Sequence, residues 1–98
     1  MAGPMGDGGS QVVERQEQGR FELAFDGGIA FAAYRSDGDR LIVYHTEVPR
    51  AFEGRGIASR LTAGLFETAR ATGRKIVPRC SFVAAWARRH PDYAGVLA

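Results

Sequence analysis

His45-Thr46-Glu47-Val48-Pro49-Arg50-Ala51-Phe52-Glu53-Gly54-Arg55-Gly56-Ile57-Ala58-Ser59 is the stretch on which the fold turns. Leu41 to Val48, rich in β-branched and aromatic residues, is the strongest strand signal in the chain. After Pro49 the period changes to that of a helix: Ile57, Leu61, Leu65 and Ala69 recur every four residues, and Ala58 and Phe66 widen the stripe. Gly54 and Gly56 let the backbone between strand and helix turn tightly and approach a ligand without Cβ collisions. The first helical turn leaves several N–H groups unpaired, the helix dipole adds partial positive charge, and Arg50, Arg55 and Arg60 add full charges. A phosphate or pyrophosphate suits those donors; a plain connection is the competing reading.

Working outward, Phe21, Leu23 and Phe25 alternate with Glu22 and Ala24, as in a half-buried strand. Asp26-Gly27-Gly28 reads as a tight turn, Ile29 to Arg35 as the returning strand, and Ser36-Asp37-Gly38-Asp39 as a second turn. A further strand is expected near Val12 to Gln16. Gly73 ends the helix, with Arg70, Arg74 and Lys75 suited to its negative end. Gly64 within the helix costs propensity but permits close packing on the sheet. Lys75 to Arg79 forms a short strand, and Ser81 caps a second helix carrying Phe82, Val83 and Trp86 that ends before Pro91. The order is β-β-β-β-α-β-α, an α/β fold whose mixed sheet has its last strand parallel to the fourth.

Ninety-eight residues, 45% hydrophobic and 24% charged, suit one soluble domain with a core. Residues 1–10, with four Gly and one Pro, have little to bury and are expected as a disordered tail before a domain over 11–98. The sequence contains no membrane-length apolar run and no secretory signal, and Cys80 is its single cysteine, so the expected location is the cytoplasm, with no membrane partner. Charge is uneven: residues 1–49 hold four Arg and eight acids, a sum of −4, whereas residues 50–98 hold nine Arg or Lys and three acids, a sum of +6. An anionic partner for the second half is one explanation and a solvated face the other. Few aromatic residues accompany the arginines as a stacking platform, so no nucleic-acid partner is expected. Cys80, His45 and His90 stand singly without ligand spacing, which argues against a metal site.

The loop lacks the lysine of a phosphate-binding Walker motif, and Ser59 stands where a dinucleotide fingerprint needs its third glycine. It does resemble the acyl-CoA loop of the GNAT acetyltransferase superfamily, [Gln/Arg]-x-x-Gly-x-[Gly/Ala]. Gly56 and Ala58 match, whereas Glu53 stands in place of the usual Gln or Arg. The wider runs His45 to Pro49, Glu53 to Ser59, Cys80 to Val83 with Trp86, and Arg89-His90-Pro91-Asp92-Tyr93 are similar to the small stand-alone GNAT-like proteins of the YjdJ type. This resemblance covers nearly all of residues 11–95. It implies a GNAT-like sheet and acetyl-CoA as acyl donor, held between the splayed fourth and fifth strands by Val48, Gly54, Arg55, Gly56, Ile57 and Ala58. Larger relatives have two helices between the first two strands, for which Glu17-Gln18-Gly19 leaves no room. The acceptor side is therefore expected to be open, suiting an amine on a small molecule or a protein, or a site completed by a second copy in a homodimer.

Acetyl transfer to an amine needs a base, a polarised thioester carbonyl and a proton for the leaving thiolate. Strict alternation puts Leu41, Val43, His45 and Glu47 on one face of the fourth strand, making His45 and Glu47 neighbours near the glycine loop. Either is a candidate base, and the ordinary pKa of histidine, ~6.5, suits the role better than that of glutamate, ~4.3. An ion pair with arginine for Glu47 and a plain sheet position for His45 are the alternatives. Cys80, across the expected wedge and beside Arg79, is a candidate acyl carrier or a small core residue. Tyr93 corresponds by position to the tyrosine that many GNAT enzymes place near the coenzyme sulfur as general acid, and packing on Trp86 is its alternative. Arg88, Arg89 and His90 suit a helix C-terminus without any function. The expected activity is N-acetyl transfer from acetyl-CoA to an amine, with an acetyl-cysteine as one route. The alternative is an acyl-CoA-binding module without catalysis.

Overall fold

Alternating apolar side chains along four successive strands build one wall of the core. The structure, a computed structural model, describes residues 11–98, and the tail expected over residues 1–10 lies outside them. The strands are β1 (Val12–Arg15), β2 (Arg20–Phe25), β3 (Gly28–Asp37), β4 (Arg40–Glu47) and β5 (Lys75–Pro78), and the helices are α1 (Ile57–Thr72) and α2 (Ser81–Arg89). They form one sheet in the order β1-β2-β3-β4-β5. The first three pairs are antiparallel; β4 and β5, joined through α1, are parallel. This is the β-β-β-β-α-β-α arrangement expected. Between β1 and β2 there is only a 3-10 turn, Gln16–Gln18, closed by Gly19 at φ 65°.

Phe21 and Leu23 of β2, Ala30, Ala32 and Tyr34 of β3, and Leu41 and Val43 of β4 are buried. Onto them α1 lays Ile57, Leu61, Leu65, Phe66 and Ala69, and α2 adds Val83 and Trp86 beside α1, with Phe66 and Trp86 ring centroids 5.0 Å apart. Burial of each such large side chain contributes roughly 1.5–3 kcal/mol. Gly64 sits where β1 crosses α1, and a methyl group there would overlap Val12. Gly73, at φ 72°, ends α1 as expected: the N–H groups of Gly73 and Arg74 donate to the carbonyls of Arg70 and Ala69. The second helix begins one residue earlier in its capping than expected. Cys80 is its N-cap, Ser81 is already helical, and no side-chain cap hydrogen bond forms.

Arg74 ties the corner where β1 passes the end of α1. Its guanidinium donates to both Glu14 carboxylate oxygens, at 2.8 and 2.7 Å, and the Tyr34 hydroxyl donates to the same carboxylate. Glu14 and Arg74 side chains are only 12% and 18% exposed, so this two-toothed pair is largely removed from water.

One irregularity in β4 decides which face its last side chains occupy. Tyr34 pairs with Val43 but Ala33 pairs with His45, so Tyr44 has no partner on β3. This extra residue is a β-bulge, and it reverses the alternation beyond it. Thr46 now stands opposite buried Ala32 on the helix side, while Glu47 stands opposite Phe31 on the other. The expectation that Leu41, Val43, His45 and Glu47 share one face is therefore corrected: His45 and Glu47 lie on the face away from the helices.

Candidate functional site

Three features converge at the end of β4. The first is the parting of β4 from β5. Their ladder stops at Val43 and Pro78, and the Val43 carbonyl accepts from both Arg79 and Cys80 amides at 2.9 Å as the chain turns into α2. From Tyr44 to Glu47, β4 runs on with no strand on that side among the described residues.

The second feature is the glycine loop. Arg50–Phe52 is a 3-10 turn, and Gly54 and Gly56 then take φ values of 83° and 77°, conformations that glycine adopts at little cost. Gly56 is the N-cap of α1, with no side chain capping it. Its carbonyl accepts from Arg60, but the amides of residues 54 to 59 donate to no acceptor among the described residues. A Cβ placed at Gly54 or Gly56 would meet nothing within 4 Å, so the space before these amides is open. Beside them is a cavity of about 250 Å³, lined by the loop and by Val48, Phe52, Ser59, Phe82 and Arg89. Unpaired helical amides, a positive dipole end and apolar walls fit an anionic group joined to an extended apolar chain.

Of the residues expected to hold the donor, Val48, Gly54, Gly56, Ile57 and Ala58 line this cavity. The Arg55 side chain does not; its guanidinium lies 5.3 Å from the centroid of the Phe52 ring. Phe52 in turn packs edge-on to Phe25 and over Gly27, anchoring the loop to the β2–β3 hairpin. Arg60 donates to Gln11 at 2.9 Å.

The third feature is the set of polar side chains around the parted strands. Cys80 is half-buried, its Sγ 3.5 Å from Thr46 Oγ1. Burial pushes the Cys80 thiol up, but the Val83 amide, the Thr46 hydroxyl and the Phe82 and Thr46 amides together hold it below the ordinary thiol value. The Phe82 and Val83 amides act here from the first turn of α2 without meeting strict cap geometry. On the opposite face of β4, His45 Nε2 and Glu47 Oε1 are 3.1 Å apart, with side chains 52% and 60% exposed. Phe31 flanks the His45 ring, their centroids 6.0 Å apart.

Tyr93 is not brought to this group. It lies in the 3-10 turn Pro91–Val96, beyond the far end of α2 from Cys80, and a nine-residue helix spans about 13 Å. Its hydroxyl donates to Glu67, its ring packs on Phe66 and Trp86, and Arg70 covers it at 4.3 Å. The hydrogen bond to Glu67, with burial, raises the Tyr93 pKa.

Residues missed by the sequence reading are Thr46, Phe52, Phe82 and Arg89. Phe82, Trp86 and Arg89 form an i, i+4, i+7 stripe on α2, and the Trp86 indole N–H donates to Ser59 Oγ at 3.0 Å, at the start of α1. That spacing was the available signal for Arg89. A larger hollow, about 400 Å³, lies at the other end of α1, lined by Arg70, Arg74, Lys75 and Asp92 among others. Its cations are engaged: Arg74 by Glu14, Lys75 by the Gly95 carbonyl at 2.5 Å, and Arg70 over Tyr93. The smaller cavity lies beside amides that have no acceptor among the described residues.

Residues 20–96 match the family described as GCN5-related N-acetyl-transferase. Among solved structures, the chain is similar to the NMR solution structure of a GCN5-like protein from Staphylococcus aureus, described as a candidate N-acetyltransferase. The TM-score is 0.68 at 24% identity, over 89% of this chain and 86% of that one. No curated protein matches the sequence significantly. In the described residues no helix is long and apolar enough to cross a membrane, and no group of acidic, His and Cys side chains could hold a metal ion.

Proposed function

The chain belongs to the GCN5-related N-acetyltransferase family, and from that premise we propose that it transfers an acetyl group from acetyl-CoA to an amine, with Cys80 as acyl carrier. The observation that carries this reading is the row of amides over residues 54 to 59 with no acceptor among the described residues, beside a cavity lined by Val48, which follows β4, and Phe82, in the first turn of α2. Acetyl-CoA supplies the thioester. The loop amides bind its diphosphate, Val48, Phe52 and Phe82 pack on the chain that follows, and Cys80 stands across the gap from β4.

The Cys80 sulfur, activated by Thr46 and the first amides of α2, attacks the acetyl carbonyl. A Cys80–acetyl bond forms, the thioester C–S bond breaks, and the Cys80 proton passes to the departing thiolate. The amine then reaches the Cys80 acetyl group through the gap between the parted strands, entering from the face of the sheet that carries no helix. With Nε2–H donating to Glu47, His45 has its Nδ1 lone pair available to take the amine proton as the C–N bond forms and Cys80 is released. Glu47 holds the imidazole tautomer and orientation. The short turn Gln16–Gln18 between β1 and β2 leaves the acceptor side open, which suits an exposed amine or a second subunit completing the site.

Incubation with acetyl-CoA followed by intact-mass measurement should show an adduct of about 42 Da, absent from Cys80→Ala. With an amine acceptor, Cys80→Ala should lose turnover by roughly a thousandfold or more while binding acetyl-CoA normally. Retained turnover would leave direct attack by the amine. Binding without product from any amine would favour an acyl-CoA-binding module, a reading motivated by Glu53 at the cavity wall in place of the usual Gln or Arg.

A further inference from the structure

The loop arginines do not supply the charge that the cavity needs. Arg55 lies over Phe52, Arg60 is bonded to Gln11, and Arg50 does not line the cavity. Glu53, by contrast, does line it and adds an acidic residue where the reading above places a negative ligand. The amides of one helix end carry only partial charge. One arginine lines this cavity, and it comes from the other helix: Arg89, in the last turn of α2. Among the described residues Arg89 has no hydrogen bond, ion pair or aromatic partner. The stripe it belongs to sets the side of α2 from which it projects. Phe82 lines the cavity, Trp86 is locked to Ser59 at the start of α1, and Arg89 follows on the same side of α2.

We infer that Arg89 is a specificity-determining residue that reaches across from α2 to the diphosphate of the acyl donor, offsetting Glu53 and completing the cradle begun by the loop amides. A guanidinium matches the paired oxygens of a phosphate and is always charged. The role rests on the acetyl-CoA reading above and extends it: the loop supplies shape and amides, and the other helix supplies the charge.

The test compares three probes by calorimetry: acetyl-CoA, its 3′-dephospho form, and acetyl-pantetheine, which lacks all phosphates. Arg89→Gln should weaken acetyl-CoA and the dephospho form alike, by roughly tenfold. It should leave acetyl-pantetheine unchanged and should flatten the salt dependence of acetyl-CoA binding. Arg89→Lys should recover part of the loss, and Arg88→Ala, which does not line the cavity, should bind as the wild type does. Circular dichroism on each variant separates misfolding from lost contact, with Arg89→Lys as the second variant should Arg89→Gln unfold. Equal binding by folded Arg89→Gln and wild type would overturn the inference while leaving the acetyl-CoA reading intact. Loss confined to acetyl-CoA would move the contact to the 3′-phosphate and overturn the diphosphate assignment. Failure of the wild type to bind acetyl-CoA at all would overturn both.

Discussion

The two ends of α1 are built on opposite principles. At its C-terminal end the polar groups are matched: Gly73 and Arg74 amides close on the last carbonyls, Arg74 grips Glu14, Tyr34 donates to the same carboxylate, and Lys75 reaches the Gly95 carbonyl. At its N-terminal end six consecutive amides have no acceptor among the described residues, two glycines hold left-handed conformations, and no side chain caps the helix. A capping side chain there would contribute about 1 kcal/mol of stability. The chain does without it, and the proposed function uses these donors for a ligand. On that proposal one end of the helix secures the fold and the other binds.

Substitution at Gly56 gives the largest separation between the two ends. Valine there is strained by about 1–2 kcal/mol in a left-handed conformation, and its side chain fills the open space before the amides. Gly56→Val should weaken acetyl-CoA binding by about a hundredfold, measured by calorimetry on the folded variant. Unchanged affinity would break the comparison. Arg74→Ala is the converse: it should lower unfolding free energy by about 2 kcal/mol in a denaturant titration and leave the acetyl-CoA Kd within roughly twofold.

The pH dependence of stability should be smaller and should belong to the paired end. The hydrogen bond from Arg74 holds the Glu14 carboxyl below 4.5, its ordinary value, so its contribution is present above that pH and is lost as pH falls through the folded value. Burial, with the Glu14 bond, pushes Tyr34 from 10.0 up to about 12, so its contribution is present below pH 10.0 and is lost as pH rises through about 12. Denaturant midpoints across both windows should show the two losses, and Tyr34→Phe should remove the alkaline one.

The fold was largely legible because its signals are local. Period two in Phe21-Leu23-Phe25, the glycine turns and period four from Ile57 to Ala69 each specify an element without reference to the rest. The loop was legible for the same reason, since Gly54 and Gly56 sit between the clearest strand and the clearest helix. Less of the surrounding site could be read. The bulge at Tyr44 lies in Ile42-Val43-Tyr44-His45, where neither glycine nor a break in apolar character marks an extra residue, yet it sends His45 and Glu47 to the opposite face and brings Thr46 to Cys80. Tyr93 corresponds by position to a tyrosine of many GNAT enzymes, with packing on Trp86 as its alternative, and its direction depends on the turn after Pro91, which carries it to Glu67. Arg89 looked like a charge suited to a helix end, and only the seating of α2 on α1 reveals the cavity beside it.

The most direct measurement is an amide NMR titration with acetyl-CoA. Binding by the unpaired amides requires the signals of residues 54 to 59 to move markedly and saturably, while those of Gly73, Arg74 and Lys75, already committed within the fold, stay in place. Saturating acetyl-CoA that leaves the 54 to 59 signals unmoved, or moves the Gly73 to Lys75 signals instead, would contradict the division of labour between the two ends of α1.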